Sequence, residues 1–499
     1  ATYGDRPALV SGETGAVLTY AALARAVDQA AAGFAARGIR PRDVVGIYAP
    51  NVPEYAIAYL GALRAGACAT TANALYTADE LAFQLRDSGA RMLVTVSALL
   101  DRALEAAAAA GIADVVSLDG GAGAAALADL LHDGPVPSVA LDPARDLAAL
   151  PYSSGTTGFP KGVMLSHRNL VANAAQFLAV RPYGTDGCSV AILPFFHSYG
   201  QTVALNAALR SGARVVTLAR FDLEAYLRLT QEHRATVAYV APPVVLALAK
   251  HPLVEGYDLS SLRFIVSGAA ALPAGLAEAC HARIGVRVVQ GYGMTEVSST
   301  SHMVPERARN RPGSIGLLVP NMEARIVDLE TDDDVPPGAP GELLLRGPNV
   351  TSGYRGHAAP ASAHDADGFL RTGDVVTVDE DGWFRVVDRC KELIKVNGYQ
   401  VAPAELEAVL HAHADVADCC VVGRPDDATG EAPVAVVVLA PGARATAEAL
   451  AAHVAARVAP YKRLRAVALA DAIPRTPSGK LVRRVLVEQL RAESEGSAR

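Results

Sequence analysis

The sequence predicts an α/β protein with a large N-terminal domain of layered α/β sheets, a β-rich subdomain and a small α+β C-terminal domain. Its 499 residues exceed what one hydrophobic core organises and, at about 150 residues per domain, predict roughly three domains. Helix-like and strand-like segments alternate through the first part of the chain. Near Arg311 this pattern gives way to short strands separated by Gly and Pro, and a compact mixed pattern follows residue 388.

The first part of the chain has the order of elements that is typical of parallel α/β layers. Helices are predicted over residues 20–37 and 54–64, each followed by a strand, over residues 43–48 and 67–71. A second alternating stretch, residues 186–267, carries predicted strands at 215–218, 238–240 and 264–266. The low-complexity run 121–128 is predicted to be a solvated loop or a short helix.

The remaining chain predicts two smaller units. Residues 341–347, bounded by glycines, are typical of the strands of the β-rich subdomain. We place the domain boundary at residues 388–391, which gives an N-terminal domain of residues 1–387 and a C-terminal domain of residues 392–499. The C-terminal domain is predicted to contain helices over 403–411 and 446–458 and strands over 418–422 and 434–439.

Charge and composition exclude several classes of function. A formal net charge of −7 without basic blocks argues against a protein that binds nucleic acid. No apolar run reaches the roughly 20 residues that span a membrane, so we expect no membrane insertion. The first residues lack the pattern of a secretion signal. The six cysteines are scattered, without metal-ligand spacing, and we expect reduced thiols in a cytoplasmic protein.

Residues 153–162, Ser-Ser-Gly-Thr-Thr-Gly-Phe-Pro-Lys-Gly, are typical of a loop that binds phosphate. Small residues let backbone N–H groups approach an anion, the hydroxyls add donors, and Lys161 adds a positive charge. The segment is not a Walker A loop, because Gly162 stands where that motif has Ser or Thr, so a P-loop kinase is disfavoured. Taken alone, it could also be an ordinary surface loop.

Five further motifs follow this loop in order. They are Pro194-Phe195-Phe196-His197, residues 290–296 (Gln-Gly-Tyr-Gly-Met-Thr-Glu), Arg371-Thr372-Gly373-Asp374, residues 388–395 (Asp-Arg-Cys-Lys-Glu-Leu-Ile-Lys), and residues 474–480 (Pro-Arg-Thr-Pro-Ser-Gly-Lys). With them, nearly the whole chain resembles the adenylate-forming superfamily of acyl-CoA synthetases, firefly luciferase and peptide-synthetase adenylation domains. Residues 239–243 and 398–407 resemble the 4-coumarate:CoA ligases most. The resemblance implies the adenylate-forming fold, with a mobile C-terminal domain.

The resemblance implies an ATP-dependent acid:CoA ligase that works through an acyl-adenylate. When a carboxylate attacks the α-phosphorus of ATP, negative charge accumulates and has to be met by cations and oriented donors. The family pattern places Mg²⁺ near Glu296 and the Thr156 hydroxyl, and lets Lys480 bridge phosphate and carboxylate.

Other roles are carried over position by position. Gln290, Gly291, Tyr292 and Thr295 are expected near the adenine and α-phosphate, and Asp374 on the ribose with Arg389 beside it. The phosphate loop contributes Ser153, Ser154, Gly155, Thr156, Thr157 and Lys161. The resemblance also implies that His197 and Glu296 are catalytic residues. Taken singly, Asp374 could be a turn residue, Arg389 a surface ion pair and His197 a core histidine.

In the second half-reaction coenzyme A attacks the adenylate after the C-terminal domain rotates, a domain alternation of the hinge kind. The resemblance puts the hinge at Lys391. By this resemblance, the rotation moves Lys480 out of the active site and brings in the catalytic residues Lys395 and Gln400, with Asn397 and Gly398 beside them. The family often has Lys at the position of Asn397. Arg220 is expected to meet the phosphates of coenzyme A.

The acyl pocket implied by the coumarate ligases is small or apolar at most positions: Tyr199, Val203, Val266, Ala269, Gly291, Gly293, Ser299 and Thr300. Plant enzymes often have Ser and Lys where Val203 and Val266 stand, and those residues meet the ring hydroxyl. We therefore expect cinnamate to be preferred over 4-coumarate, because burying a phenol without a partner costs about 1–3 kcal/mol. Ala269 and Gly293 are expected to leave depth for a ring or a medium alkyl chain.

Alternatives remain open at this point. A medium-chain fatty acid:CoA ligase, an adenylase that loads a carrier protein, and a luciferase-like oxygenase share the motifs. A degenerate nucleotide-binding module is argued against by the joint retention of Lys480, Lys395 and Glu296. We also expect that a lysine acetyltransferase acting on Lys480 removes the charge that adenylation uses.

Overall fold

The computed structural model describes residues 2–153, 160–184, 186–356, 363–390, 392–396, 399–426, 429–475 and 481–496. Up to Ser153 the elements are β1 (Pro7–Ser11), β2 (Val17–Thr19), α1 (Tyr20–Ala36), β3 (Val44–Tyr48), α2 (Pro53–Arg64), β4 (Cys68–Thr71), α3 (Ala78–Ser88), β5 (Ala90–Thr95), α4 (Leu100–Ala109), β6 (Val115–Ser117), β7 (Ala125–Ala126), α5 (Leu127–Leu130), β8 (Leu147–Ala149) and β9 (Tyr152–Ser153).

The chain continues with a second run of alternating helices and strands. Its elements are β10 (Lys161–Gly162), β11 (Leu165–Ser166), α6 (His167–Val180), β12 (Cys188–Ala191), a π-helix (Gly200–Ala207), α7 (Ala208–Ser211), β13 (Arg214–Thr217), α8 (Leu223–Glu232), β14 (Val237–Val240), α9 (Pro242–Lys250), β15 (Phe264–Ser267), α10 (Ala274–Ile284), β16 (Arg287–Tyr292), β17 (His302–Met303) and β18 (Leu317–Leu318).

Two smaller units complete the fold. The β-rich subdomain contains β19 (Glu323–Val327), β20 (Gly341–Arg346), β21 (Leu370–Val378) and β22 (Phe384–Arg389). The C-terminal unit contains β23 (Ile394–Val396), β24 (Tyr399–Val401), α11 (Pro403–His411), β25 (Val416–Asp426), β26 (Gly430–Leu439), α12 (Ala447–Ala455), β27 (Ala466–Leu469) and α13 (Arg483–Gly496). Short 3₁₀ turns cover Ser97–Leu99, Pro252–Gly256, Thr295–Val297 and Pro460–Lys462.

Local sequence explains where the helices begin and end. The N-cap of α3 is Thr77, whose hydroxyl accepts the Glu80 N–H while the Glu80 carboxylate accepts the Thr77 N–H. The helix ends at Gly89, which has a φ of 68° that a residue without Cβ adopts at little cost. Ser166 caps α6 in the same way as Thr77 caps α3.

The sheets confirm the predicted α/β class. Within the described residues the largest sheet has the order β11-β8-β4-β3-β5-β6-β7, and the neighbouring strands β4, β3, β5, β6 and β7 run parallel. A second parallel set, β14-β15-β16, continues into the short antiparallel strands β17 and β18. The β-rich subdomain is the antiparallel sheet β19-β20-β21-β22, as expected from its Gly and Pro punctuation.

Most predicted elements agree with the structure to within a few residues, and the C-terminal strands are longer than predicted. The low-complexity run 121–128, predicted to be a loop or a short helix, enters a helical turn at Leu127–Leu130, but its Ala125–Ala126 also adds an edge strand beside β6, which was not predicted. The predicted helix over residues 446–458 begins at Ala447 and ends at Ala455.

Burial is concentrated between the large sheets and their helices, with a separate core in the C-terminal unit around Leu406, Val437 and Leu450. Of the six cysteines, five are buried and Cys390 is half-buried, and none is paired in a disulfide. Burial raises the pKa of each thiol, to about 11 for Cys280 and about 12 for Cys390. Among the described helices, none is both long and apolar enough to cross a membrane.

Candidate active site

The two ends of the phosphate loop lie side by side. Strand β9 pairs antiparallel with β10, so that Ser153 is opposite Lys161 and Tyr152 is opposite Gly162. The sequence therefore forms a hairpin that presents the hydroxyl of Ser153 and the ammonium of Lys161 on adjacent strands. The predicted residues Ser154, Gly155, Thr156 and Thr157 belong to the connection and lie outside the described residues.

Glu296 lies beside this hairpin. Its Oε1 accepts hydrogen bonds from Ser153 Oγ (3.1 Å) and from Tyr354 Oη (3.0 Å). The residue belongs to the 3₁₀ turn Thr295–Val297 and is only 6% exposed. A buried carboxylate next to a phosphate loop is a ligand of the type that Mg²⁺ prefers, so the donor set fits the metal that the sequence implies.

A second carboxylate, Asp374, is held between two partners. Tyr292 Oη donates to Asp374 Oδ2 (2.5 Å), and Arg389 Nε lies 3.2 Å from Asp374 Oδ1. Burial and the Asp374 carboxylate raise the pKa of Tyr292, so the phenol stays a hydrogen-bond donor. Asp374 lies within β21 opposite Arg389 of β22, so it is a strand residue and not the turn residue of the alternative interpretation.

The remaining nucleotide positions of the large domain come from β16 and the turn after it. Gln290 Oε1 accepts the N–H of Leu272 (2.9 Å), which fixes the amide at the carboxyl end of β16. Thr295 is buried at the start of the Glu296 turn. Gly291 pairs with Met303, and a Cβ at Gly291 would lie 2.6 Å from the Met303 Cε atom.

A cavity next to these residues joins most of the predicted acyl-pocket positions. It is lined by His197, Tyr199, Ala269, Gly291, Gly293, Ser299 and Thr300, among others. The space inside it is small, about 30 Å³.

Val203 and Val266 are completely buried and do not line this cavity. Tyr199 Oη donates to the Val266 carbonyl (3.3 Å), and the Val203 carbonyl accepts from Tyr183 Oη (3.0 Å). The two valines, which the sequence analysis expected in the acyl pocket, thus lie in the core behind Tyr199.

Gly293 does not provide depth, contrary to the expectation from its size. A Cβ at Gly293 would lie 1.6 Å from the Ser299 carbonyl oxygen, so the glycine allows the backbone of Ser299 to pass close by. Ala269 has a φ of 71° and Ser299 a φ of 125°, both in the left-handed region that favours glycine. The pocket wall is therefore shaped by backbone geometry as much as by side-chain size.

His197 is half-buried and faces the cavity, unlike a histidine enclosed in the core. Its Nδ1 accepts the backbone N–H of Tyr199 (3.2 Å), which assigns the proton of the neutral ring to Nε2. The ring therefore lies at the boundary between the acyl cavity and the nucleotide positions.

Of the residues expected to act with coenzyme A, the structure describes Arg220, Lys395 and the backbone of Gln400, and none of these lines the cavity. Arg220 is exposed after β13, and Lys395 is exposed on β23 of the C-terminal unit. The backbone of Gln400 lies in β24 opposite Lys395. Lys391, Asn397, Gly398 and Lys480 lie outside the described residues.

Two features of the domain junction were not predicted. Asp388 Oδ2 accepts the N–H of Ala404 at the start of α11 (2.9 Å), and burial raises the pKa of this carboxyl to about 6. Ion pairs flank residues 476–480: Arg475 Nη2 lies 2.8 Å from Asp418 Oδ1, and Arg483 Nη2 lies 2.7 Å from Glu407 Oε1. The charged residues are visible in the sequence, but their partners are 57 and 76 positions away and carry no local signal.

Comparison with known proteins agrees with this geometry. Residues 1–355 match the family model of the AMP-binding enzymes, and residues 405–480 match that of the AMP-binding enzyme C-terminal domain. A 4-coumarate–CoA ligase (number 5) of Oryza sativa subsp. japonica is 42% identical over 503 residues, covering 98% of this chain and 92% of the relative.

Solved structures of two related enzymes have a similar fold over nearly the whole chain. ATP-bound MatB from Rhodopseudomonas palustris has a TM-score of 0.90 at 30% identity, covering 97% of this chain and 96% of that one. An anthranilate CoA ligase, AuaEII in complex with anthranoyl-AMP, has a TM-score of 0.90 at 27% identity, covering 98% and 95%.

Proposed function

The chain belongs to the family of AMP-binding enzymes, and on this premise we propose that it is an ATP-dependent, AMP-forming acid:CoA ligase. Its substrates are ATP, coenzyme A and a carboxylic acid of the cinnamate type, and its metal is Mg²⁺. The observation that carries the proposal is the grouping of Glu296, Ser153 and Lys161 at the phosphate hairpin, within a fold shared with ATP-bound and acyl-AMP-bound relatives.

In the first half-reaction the large domain holds the nucleotide. Asp374 accepts hydrogen bonds from the ribose hydroxyls, with Tyr292 and Arg389 fixing its carboxylate. Glu296 and Thr156 hold Mg²⁺, which supplies charge neutralisation at the phosphates when it is bound. Lys161 and Lys480 add positive charge where the carboxylate of the acid meets the α-phosphate.

In the second half-reaction the C-terminal domain changes the residues that face the adenylate. Residues 1–387 form the nucleotide and acyl domain, residues 388–391 with Lys391 form the hinge, and residues 392–499 rotate. The exposed Lys395 then enters with Gln400, Asn397 and Gly398, while Arg220 meets the phosphates of coenzyme A. Support comes from the separate hydrophobic core of this unit, which lets it move as one body.

The acid is an aryl acid, and cinnamate is preferred over 4-coumarate. Support comes from the resemblance, which assigns the ring-hydroxyl positions to the apolar residues Val203 and Val266; in the structure both are buried behind Tyr199 and do not line the cavity. The margin is at most about a hundredfold, because an apolar pocket discriminates poorly against one added hydroxyl. The test is direct competition of the two acids for acyl-CoA formation, and equal use of both contradicts the preference.

The function itself is tested by pyrophosphate release with Mg-ATP over cinnamates, benzoates and short- to medium-chain fatty acids, with and without coenzyme A. We expect release with cinnamate, and both AMP and cinnamoyl-CoA when coenzyme A is present. Pyrophosphate release only with fatty acids would contradict the aryl-acid substrate and identify a fatty acid:CoA ligase. Adenylate that passes to a carrier protein but not to coenzyme A changes the acceptor, and no release from any acid contradicts the ligase.

The enzyme is cytoplasmic, which agrees with its unpaired cysteines. Acetylation of Lys480 by a lysine acetyltransferase lowers the adenylation rate, because it removes the charge at the reacting phosphate. Mass spectrometry of the native protein, with the activity of Lys480→Gln, tests this regulation. Unmodified Lys480 in all samples, with an active Gln variant, contradicts it.

A further inference from the structure

The segment 351–355 connects the Glu296 turn to the phosphate hairpin. At its start, the Thr351 N–H donates to the carbonyl of Glu296 (2.8 Å). At its end, the Arg355 N–H donates to the carbonyl of Gly162 in β10 (2.8 Å). Main-chain hydrogen bonds therefore hold the segment across both parts of the site, and it carries Tyr354 between them.

The Tyr354 hydroxyl and Ser153 Oγ donate to the same oxygen of Glu296, Oε1, at 3.0 and 3.1 Å. In the part of the chain that the structure describes, no hydrogen bond reaches Glu296 Oε2. Two donors on one oxygen fix the rotation of the carboxylate and leave the acceptor capacity of the other oxygen for a ligand.

The ring of Tyr354 makes a second contact with a charged group. Lys161 Nζ lies 5.7 Å from its centroid, within the range of a cation–π interaction. One side chain thus touches both the carboxylate that receives the metal and the lysine that receives the phosphates. Lys161 of the phosphate loop and Glu296 of the metal-binding turn are 135 positions apart in the sequence, and Tyr354 contacts both.

We infer that Tyr354 is a positioning residue for adenylation: its hydroxyl orients Glu296 toward the metal of the metal–ATP complex, and its ring locates Lys161. The inference rests on the proposed function, since it assigns a divalent cation to Glu296. It names a residue outside the motifs that identified the site.

The test uses Tyr354→Phe, which removes the hydroxyl and keeps the ring under Lys161. Binding of Mn²⁺ is measured by electron paramagnetic resonance with the full chain and ATP, without acid or coenzyme A. We expect Mn²⁺ to bind about tenfold more weakly to the ATP complex, as for loss of one hydrogen bond to a charged group. ATP binding without metal should be unchanged.

A matched control is Tyr20→Phe, which removes a hydroxyl that donates to the carbonyl of Ala213 (2.6 Å) far along the chain from these motifs. Its Mn²⁺ affinity should equal that of the wild type. If Tyr354→Phe folds poorly, Ser153→Ala removes the second donor to the same oxygen and is expected to weaken Mn²⁺ binding in the same direction.

A double-mutant cycle separates positioning from general structural support. In a Glu296→Gln background the carboxylate is absent, so Tyr354→Phe should change Mn²⁺ affinity by less than about twofold. An equal loss in both backgrounds, or wild-type affinity of the single variant, overturns the inference while leaving the ligase intact. A wild-type protein that neither binds Mn²⁺–ATP nor releases pyrophosphate overturns the proposed function instead.

Discussion

Two buried carboxylates, Glu296 of the large domain and Glu407 of the C-terminal unit, are held by different kinds of partner. Glu296 is fixed through one oxygen by two uncharged hydroxyls. Glu407, by contrast, gives both oxygens to Arg483, at 2.7 and 2.8 Å. A carboxylate held by hydroxyls keeps its charge available to a cation, whereas one paired with a guanidinium is already neutralised. Glu296 thus keeps its charge for a ligand, and Glu407 uses its charge to hold the C-terminal unit together.

The largest effect should come from removing the cation that pairs with Glu407 in the C-terminal unit. Arg483→Met leaves Glu407, which is 11% exposed at its side chain, without its cation, and removal of one partner of a buried pair costs about 3–5 kcal/mol. We expect the C-terminal unit to lose protection in hydrogen exchange and the adenylation rate to fall with it. Arg64→Met breaks a surface pair with Asp28 and should change stability by less than about 1 kcal/mol. Equal protection in both variants contradicts the contrast.

Next in size is the loss of the charge that the C-terminal domain is proposed to deliver. Lys480→Ala should slow adenylation by about a hundred- to a thousandfold, or about 2.7–4 kcal/mol, because one preorganised cation is lost at the reacting phosphate. Thioester formation from a synthetic acyl-adenylate should be nearly unaffected. Lys462→Ala, which breaks a pair with Glu405 in the same unit, is the control. Near-normal adenylation by Lys480→Ala refutes its assignment.

Asp388 provides a third buried carboxylate for the comparison, and it lies at the junction between the large domain and the C-terminal unit. Burial raises its pKa from 3.8 to about 6, so between these values the folded protein binds the proton more tightly than the unfolded chain. Stability contributed by this group is therefore complete below about pH 4 and is lost as the pH rises to about 6, by roughly 3 kcal/mol.

The measurement is urea unfolding from pH 4.5 to 7.5 for the wild type and Asp388→Asn. The variant should lack this loss and gain relative stability as the pH rises. Asp28→Asn, on the surface, should follow the wild type within about 0.5 kcal/mol. A parallel pH dependence of all three proteins contradicts the burial argument.

The smallest effect should come from removing the ion pair between Arg389 and Asp374 at the proposed nucleotide site. Arg389 is half-exposed beside Asp374, and exposed ion pairs contribute about 0–1 kcal/mol. Arg389→Gln should therefore raise the KM for ATP by no more than about fivefold, with kcat changed less. Arg385→Gln, on the same strand, should leave both unchanged. A hundredfold loss of kcat/KM in Arg389→Gln would show that Arg389 contacts the reacting groups and does not act only by orienting Asp374.

Sequence predicted the parts of the site that are local. Helix and strand periodicity identified the α/β layers, and the motif at residues 290–296 brought Tyr292 and Glu296 to the site on one strand and its following turn. The pairing of Asp374 with Arg389 followed from two neighbouring motifs on adjacent antiparallel strands.

What sequence could not predict depends on the folded backbone. Tyr354 reaches Glu296 because its segment folds back onto β10, and no periodic pattern in residues 351–355 indicates that path. Gly293 was interpreted as space, yet that space is occupied by the Ser299 carbonyl. Side-chain size gives pocket depth only where the neighbouring backbone is known.

The raised pKa of the native thiols has a practical consequence for observing domain rotation. Because the thiolate is the species that reacts, cysteines held in the thiol form at neutral pH are slow toward maleimide dyes. Cys390, next to the proposed hinge, is included in this group. A donor and an acceptor fluorophore can therefore be attached to two engineered surface cysteines, one in each domain, on an otherwise unaltered enzyme. Single-molecule energy transfer would then record the alternation between half-reactions during turnover.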